Sequence, residues 1–214
     1  DVFSDYFCFG CSAMTKQVKS GLLAGRPFCG VLTMIKNDLR NFTKTVHCDE
    51  RYAVIIVSNY VFINVYMPCS GTPDRRDLIE NLLADISSWC DSFIDYNFVI
   101  AGDFNTNLFL GDDCAALFNS FINDRDLVSC DKLFGMENVP TYVNDALNHA
   151  SHIDYVFSSC KQDVVSFNVV DLALNFSDHL PVIVEICCKR NGRFAHTEES
   201  NGDRIEKVLR WDKG

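Results

Sequence analysis

Asn97-Phe98-Val99-Ile100-Ala101-Gly102-Asp103-Phe104-Asn105 is the stretch from which the fold can be read. It starts as an apolar run of strand length and ends in polar chemistry just past a glycine. A buried strand closing on Gly-Asp-Phe-Asn carries a carboxylate and an amide to the mouth of a sheet. Two later motifs repeat the arrangement: Ser151-His152-Ile153-Asp154-Tyr155 enters an apolar run reaching Phe157, and Ser177-Asp178-His179-Leu180-Pro181 leads into Val182 to Ile186. Asp, Asn and His at the ends of apolar strands must be paired, desolvated or bound to an ion, because an isolated buried carboxylate is too costly. Gly-Asp-Phe-Asn alone is ordinary turn composition, and Ser-Asp-His alone is a common Asx or Ser turn. Three such motifs in order, each coupled to an apolar strand, describe one cleft supplied by several strand ends.

Working outward, Phe28 to Ile35, Tyr52 to Val57 and Val61 to Met67 are rich in β-branched and aromatic residues, with Ser58-Asn59-Tyr60 as a hairpin turn. Thr72-Pro73-Asp74 offers an N-cap, a first-turn proline and an early acid. Leu78, Leu82, Leu83, Ile86 and Trp89 follow at helical spacing. A second helix spans Cys114 to Ile122 with Leu117, Phe118, Phe121 and Ile122 on one face, and strands return from Ile153, at Val164 to Leu172 and at Val182 to Cys188. Mixed strands with two helical layers predict an α/β sandwich, two sheets face to face with helices outside.

No linker rich in Gly, Ser or Pro divides the first 188 positions, so residues 1–188 are expected to form one domain. Residues 189–214 turn polar and charged and read as a linker entering a helix. The chain starts at Asp1 without a charged-then-apolar leader, and no apolar run has the roughly 18 residues a membrane helix needs. It is therefore expected to be a soluble fragment with no membrane partner. Its eleven cysteines, an odd number scattered through apolar stretches, predict reduced thiols and an intracellular setting, nucleus or cytoplasm. Cys8-Phe9-Gly10-Cys11 has the spacing of half a zinc knuckle, but no second half follows, so no structural zinc is expected.

The net charge of -10 is unevenly placed: +1 over residues 1–50, -13 over 51–188 and +2 over 189–214. The excess acid lies in the segment that holds the three motifs. Carboxylates gathered around a hard divalent cation would produce this bias, as would a solvated acidic surface. Any grip on a polyanion must then be local. The motif residues suit phosphodiester hydrolysis, which needs an oriented water, a proton acceptor and donors or positive charge on the non-bridging oxygens. Asp103 and Asn105, two apart on an extended segment, would point to one side and bracket a water or a phosphate oxygen. Asp154 would fix the tautomer of His179, whose other nitrogen would face the phosphate. Asp178 is a natural ligand for Mg²⁺.

In this order the three motifs resemble the endonuclease/exonuclease/phosphatase superfamily over roughly residues 20–188. The resemblance implies a four-layered α/β sandwich, two packed mixed sheets flanked by helices, and Mg²⁺- or Mn²⁺-dependent phosphoester hydrolysis. It implies that Asp103 activates or orients the attacking water with Asn105 as its partner on water and phosphate, that Asp154 orients His179, and that His179 contacts the scissile phosphate. It further implies that Asp178 and Asp103 hold the metal. Val65-Tyr66-Met67-Pro68 resembles the family's Tyr-x-Pro strand end, making Tyr66 a phosphate donor, and Pro140-Thr141-Tyr142 resembles its Thr-aromatic segment, making Thr141 a substrate contact. Gly25-Arg26 before Phe28-Cys29-Gly30-Val31, the SxIDY form and Val208-Leu209-Arg210-Trp211-Asp212-Lys213 look most like the apurinic-type endonuclease domain of non-LTR retrotransposons. In that case the substrate is DNA, nicked to prime reverse transcription, and a reverse transcriptase follows downstream. A phosphatase or phospholipase on the same scaffold, or a non-catalytic remnant, are the alternatives.

The family's first two strands, bearing an Asn and a metal-binding Glu, would lie upstream of Asp1, so the sheet is expected to lack them and activity to be weak. Adding native upstream sequence is expected to raise plasmid nicking in Mg²⁺; equal nicking with and without it would refute this.

Overall fold

The computed structural model describes residues 4–12, 30–171, 175 and 177–188. Residues 189–214 and the Gly25-Arg26 pair lie outside the described residues. Twelve strands form among these residues: β1 (Tyr6–Cys11), β2 (Val31–Lys36), β3 (Thr43–Cys48), β4 (Tyr52–Val57), β5 (Tyr60–Tyr66), β6 (Asn97–Asp103), β7 (Val128–Ser129), β8 (Tyr142–Asn144), β9 (His149–Ser151), β10 (Asp154–Ser158), β11 (Val164–Val169) and β12 (Val182–Ile186). Among the described residues three α-helices accompany them: α1 (Arg75–Ser92), α2 (Asp113–Asp124) and the single turn α3 (Cys130–Leu133). The main sheet has six strands in the order β3-β4-β5-β6-β10-β7; β5 and β6 run parallel, and their neighbours pair antiparallel.

Apolar side chains on both faces explain why β4 and β5 are central. Val54, Ile56, Val61, Ile63 and Val65 pack on one side against Ile79, Leu83, Ile86 and Cys90 of α1 and Phe118 and Phe121 of α2. On the other side Ile55, Val57, Tyr60 and Phe62 meet Ile35 of β2, Phe167 of β11 and Val182, Val184 and Ile186 of β12. The hairpins β1-β2 and β11-β12 are thus the second sheet layer of the sandwich, each paired antiparallel. Asn64 ties the layers together by donating from Nδ2 to the Leu32 carbonyl at 3.1 Å and to Thr33 Oγ1 at 3.2 Å. Tyr60 does the same at the other end, donating from its hydroxyl to Asp163 just before β11 at 2.5 Å.

Two expectations are corrected. Leu78 is exposed, and the buried face of α1 runs through Ile79, Leu83, Ile86 and Cys90, one residue further round. Thr72 does not cap α1: the helix starts at Arg75, after an Asp74 in the left-handed region (φ +52°) whose side chain makes no capping hydrogen bond. Tertiary bonds from Arg75 decide that start, as shown below. The layering is the expected α/β sandwich, its second layer made, among the described residues, of the β1-β2 and β11-β12 pairs. Cys8 and Cys11 sit three apart in β1 and so face opposite sides of a strand. The ten described cysteines are all free, and burial pushes the thiols of Cys90 up to about 11 and Cys130 up to about 12.

Gly102 is required where β6 passes β5. Its φ is +153°, and a Cβ there would fall 1.9 Å from the Val65 carbonyl oxygen. Gly102→Ala is expected to cost about 3 kcal/mol or more, because backbone rather than a flexible side chain must yield. Urea unfolding checks this, and a midpoint like that of the unaltered chain would show that the strands can separate without cost.

Candidate active site

The alternation of side chains along the main sheet places the chemistry. On β6, Phe98 and Ile100 point to the helices while Val99 and Ala101 point to the second sheet layer, so Asp103 falls on the inner face at the strand's end. On β10, Tyr155 and Phe157 take the helix side, and Asp154 takes the inner side with Val156. The register sets Asp103 directly opposite Asp154 and, across the parallel pair, opposite Tyr66. Three adjacent strands therefore line up Tyr66, Asp103 and Asp154 on one face at one end of the sheet.

His179 completes the group from the chain entering β12. Its backbone bridges Tyr142, its N–H donates to Ser177 Oγ at 3.1 Å, and its carbonyl accepts from Asn175 Nδ2 at 2.9 Å. Its Nδ1 lies 2.9 and 3.0 Å from the two oxygens of Asp154, so Nδ1 carries the proton and donates. The opposite nitrogen, Nε2, is left 3.9 Å from Asp103 Oδ2, beyond hydrogen-bond range. Asp103, Asp154 and His179 are 6%, 1% and 4% exposed, with ligating atoms all within 4.8 Å of one another. Asp178 lies outside that group; its backbone carbonyl accepts the Val143 N–H at 2.7 Å.

Asn105 reaches Asp103 by a route other than strand alternation. It adopts the left-handed conformation at φ +49°, so the chain turns back just past the end of β6. The Asn105 N–H donates to Asp103 Oδ1 at 2.8 Å, and its amide Nδ2 donates to Asp103 Oδ2 and to the Met67 carbonyl, both at 3.0 Å. Phe104 between them points the opposite way, 1% exposed, with its ring edge-on to Phe118, Tyr155 and Phe157. One residue of the motif thus anchors in the helix-side core while its neighbours face the cleft.

Thr141 is completely buried, and its hydroxyl accepts the N–H groups of Ile153 at 3.0 Å and Asp154 at 2.9 Å. It holds the strand entry that aims Asp154. His152, whose partner the sequence did not reveal, is buried behind the cleft with Nδ1 2.5 Å from the Val139 carbonyl and Nε2 3.3 Å from Asp131. Tyr155 donates to the His152 carbonyl and accepts the Leu108 N–H, and burial raises its phenol well above the ordinary tyrosine range.

This buried carboxylate and imidazole cluster at paired strand ends accompanies a family match: the model of the Endonuclease/Exonuclease/phosphatase family aligns with residues 8–179. The chain belongs to that family. Solved structures share the fold. A 3′ phosphatase from Neisseria bound to product DNA hairpin superposes with a TM-score of 0.59 at 16% identity, over 85% of this chain and 79% of that one. The endonuclease domain of TRAS1, a telomere-specific non-LTR retrotransposon, gives 0.59 at 17%, over 84% and 78%. An AP endonuclease from Archaeoglobus fulgidus gives 0.58 at 13%, over 85% and 79%. Comparison with curated protein sequences returned no match.

Sequence reasoning missed Arg75. Its Nε donates to the Pro68 carbonyl at 2.9 Å, and one Nη2 donates to the Asn105 carbonyl at 2.8 Å and to Thr106 Oγ1 at 2.6 Å. One guanidinium therefore fastens the loop after β5 to the loop after β6. The available signal was a local inconsistency, since a cation in the first turn of a helix opposes its dipole. Arg75→Lys keeps the charge but not the fork. It is expected to lower kcat on a phosphoester substrate about 10- to 100-fold with KM little changed, and Arg75→Ala should recover in part on adding guanidinium. Steady-state kinetics showing wild-type kcat in both variants would remove Arg75 from the site.

Proposed function

We propose that this chain hydrolyses phosphodiester bonds in DNA with the help of a divalent cation, and that it nicks target DNA for retrotransposon insertion. The observation that carries this is the aligned set Asp154, His179 and Asp103, with the imidazole held at Nδ1 and its other nitrogen turned toward a second carboxylate at 3.9 Å. A phosphate oxygen placed beside this pair meets the imidazole Nε2, while Asp103 orients the attacking water from the neighbouring strand. Asn105 keeps both oxygens of Asp103 in place, and Tyr66, one strand over, donates to a non-bridging oxygen. Thr141 acts through Asp154, whose backbone it holds, and touches no substrate.

A hard cation suits this donor set. Two carboxylates and an imidazole lie within 4.8 Å of one another in the most acidic part of the sequence. Asp103 would hold Mg²⁺ or Mn²⁺, with Asp178 contributing through a water. When bound, the ion supplies charge to offset that developing on the phosphate. The retrotransposon assignment draws support from the sequence motifs and from the TRAS1 endonuclease domain among the similar folds. A reverse transcriptase in the same reading frame fits this assignment.

Asp154→Asn preserves shape but replaces one acceptor oxygen with an NH2 donor, so the tautomer of His179 is no longer fixed. It is expected to lower turnover about a thousandfold or more, by analogy with the same change behind a catalytic histidine elsewhere. Asp103→Ala and His179→Ala should abolish plasmid nicking, and chelation of divalent cations should do the same to the unaltered chain. Nicking that survives either alanine substitution would overturn the assignment. Release of phosphate from a 3′-phosphorylated end without any nicking would instead make it a phosphatase like the Neisseria structure.

A further inference from the structure

The second motif holds a histidine that the proposed chemistry does not use. His152 and His179 are the two buried histidines among the described residues, and His152 lies two residues before Asp154. Its ring is clamped from both sides. Nδ1 donates to the Val139 carbonyl at 2.5 Å, and Nε2 stands 3.3 Å from Oδ2 of Asp131, a carboxylate 1% exposed in the single turn α3. The other oxygen, Oδ1, accepts the Ser129 hydroxyl. Nε2 and Oδ2 have no further hydrogen-bond partner, so each is satisfied by the other or not at all. Both neighbours of the ring are acceptors, so a proton lies on each side of it, and the imidazole cross-links α3 to the segment before Thr141.

What the cross-link spans gives it a role. On one side Val139 leads by two residues to Thr141, whose hydroxyl accepts the N–H groups of Ile153 and Asp154 and whose own N–H donates to the Ser151 carbonyl at 3.0 Å. On the other, the His152 carbonyl accepts the Tyr155 hydroxyl at 2.9 Å, the same hydroxyl accepts the Leu108 N–H at 3.0 Å, and the His152 and Tyr155 rings lie 4.7 Å apart. Leu108 follows Asn105 by three residues in the loop after β6. His152 therefore touches both supports of the site, the strand entry that aims Asp154 and the loop that holds Asn105 against Asp103. A buried ion pair adds little stability that apolar packing of the same volume would not. What it adds is direction, because a hydrogen bond has a preferred angle and a packed ring does not.

We propose that His152, held by Asp131, is a positioning residue for hydrolysis: it sets where Asp154 meets His179 Nδ1 and, through Tyr155, where the Asn105 loop sits. It touches no phosphate. A displacement of about 1 Å is enough to cost such a site about a hundredfold in turnover. This rests on the phosphodiesterase function proposed above.

The test separates geometry from stability. In the full chain, Asp131→Ala and His152→Ala are expected to lower kcat for plasmid nicking in Mg²⁺ about 10- to 100-fold with KM little changed. Asp131→Asn, whose amide can meet Nε2 as donor or acceptor, keeps most of the unaltered kcat. Either alanine substitution leaves a buried polar group unpaired, so the double variant Asp131→Leu with His152→Phe removes both partners together and preserves the fold. It is expected to lose kcat as the alanine variants do. A second measurement needs no turnover: the Nδ1–H proton resonance of His179, assigned by its loss in His179→Ala, shifts in the double variant and stays in place in Asp131→Asn. An unmoved resonance in the folded double variant overturns the proposal, and so does an unaltered kcat, since a pair that serves stability alone would move only the urea midpoint. If the unaltered chain does not nick DNA, the function proposed above fails, and the His179 resonance alone decides whether the pair positions the site.

Discussion

The parallel pairing of β5 and β6 is the constraint from which the site follows. Seven residue pairs fix that register, from Tyr60 opposite Asn97 to Tyr66 opposite Asp103. A slip of one residue would turn every side chain of the strand to the opposite face and send Asp103 into the helix-side core. Gly102 makes the close approach possible, and the Met67 N–H closes it beyond the strand by donating to the Asp103 carbonyl at 2.8 Å. With the register set, β10 has only to pair antiparallel with β6 to bring Asp154 alongside. The line Tyr66, Asp103 and Asp154 is thus a property of the sheet and not of any loop.

The loops contribute the part that register cannot. Asn105 in its left-handed turn, Arg75 bridging two loops and Thr141 bonded to two successive backbone N–H groups each fix a polar atom near the cleft. These are short polar bonds in buried or partly buried places, where an unpaired group would cost about 1–3 kcal/mol. Preorganisation of this kind holds Asp103 and His179 in a fixed relation, with Nε2 3.9 Å from Oδ2.

Much of this was legible in the residues. Val99 to Ala101, Tyr52 to Val57 and Val61 to Met67 announce strands by composition, and Asp103, Asp154 and His179 stand out because polar groups at apolar strand ends need a reason. The unreadable parts depend on partners distant in sequence. Arg75 bonds to a carbonyl 30 residues away, so its role left no short-range trace beyond an awkward charge at a helix start. Strands β1, β3, β7, β8 and β9 went unpredicted: β3 is polar, β7, β8 and β9 run only two or three residues, and all gain their order from tertiary pairing. Asn105 was expected to continue the strand, whereas its side chain hydrogen-bonds its own neighbourhood and favours a turn.

Phe104 has a consequence that reaches past the site. Since it is wedged among Phe118, Tyr155 and Phe157 and flanked in the chain by Asp103 and Asn105, it acts as a mechanical linkage between the helix layer and the cleft. Any change that lets α2 settle differently moves the fulcrum on which both polar residues turn. The interior aromatic cluster and the reacting groups therefore cannot drift independently over evolutionary time. A lineage that repacked one would have to retune the other, and wear in the hydrophobic layer would be felt first as lost turnover, before any loss of the fold itself.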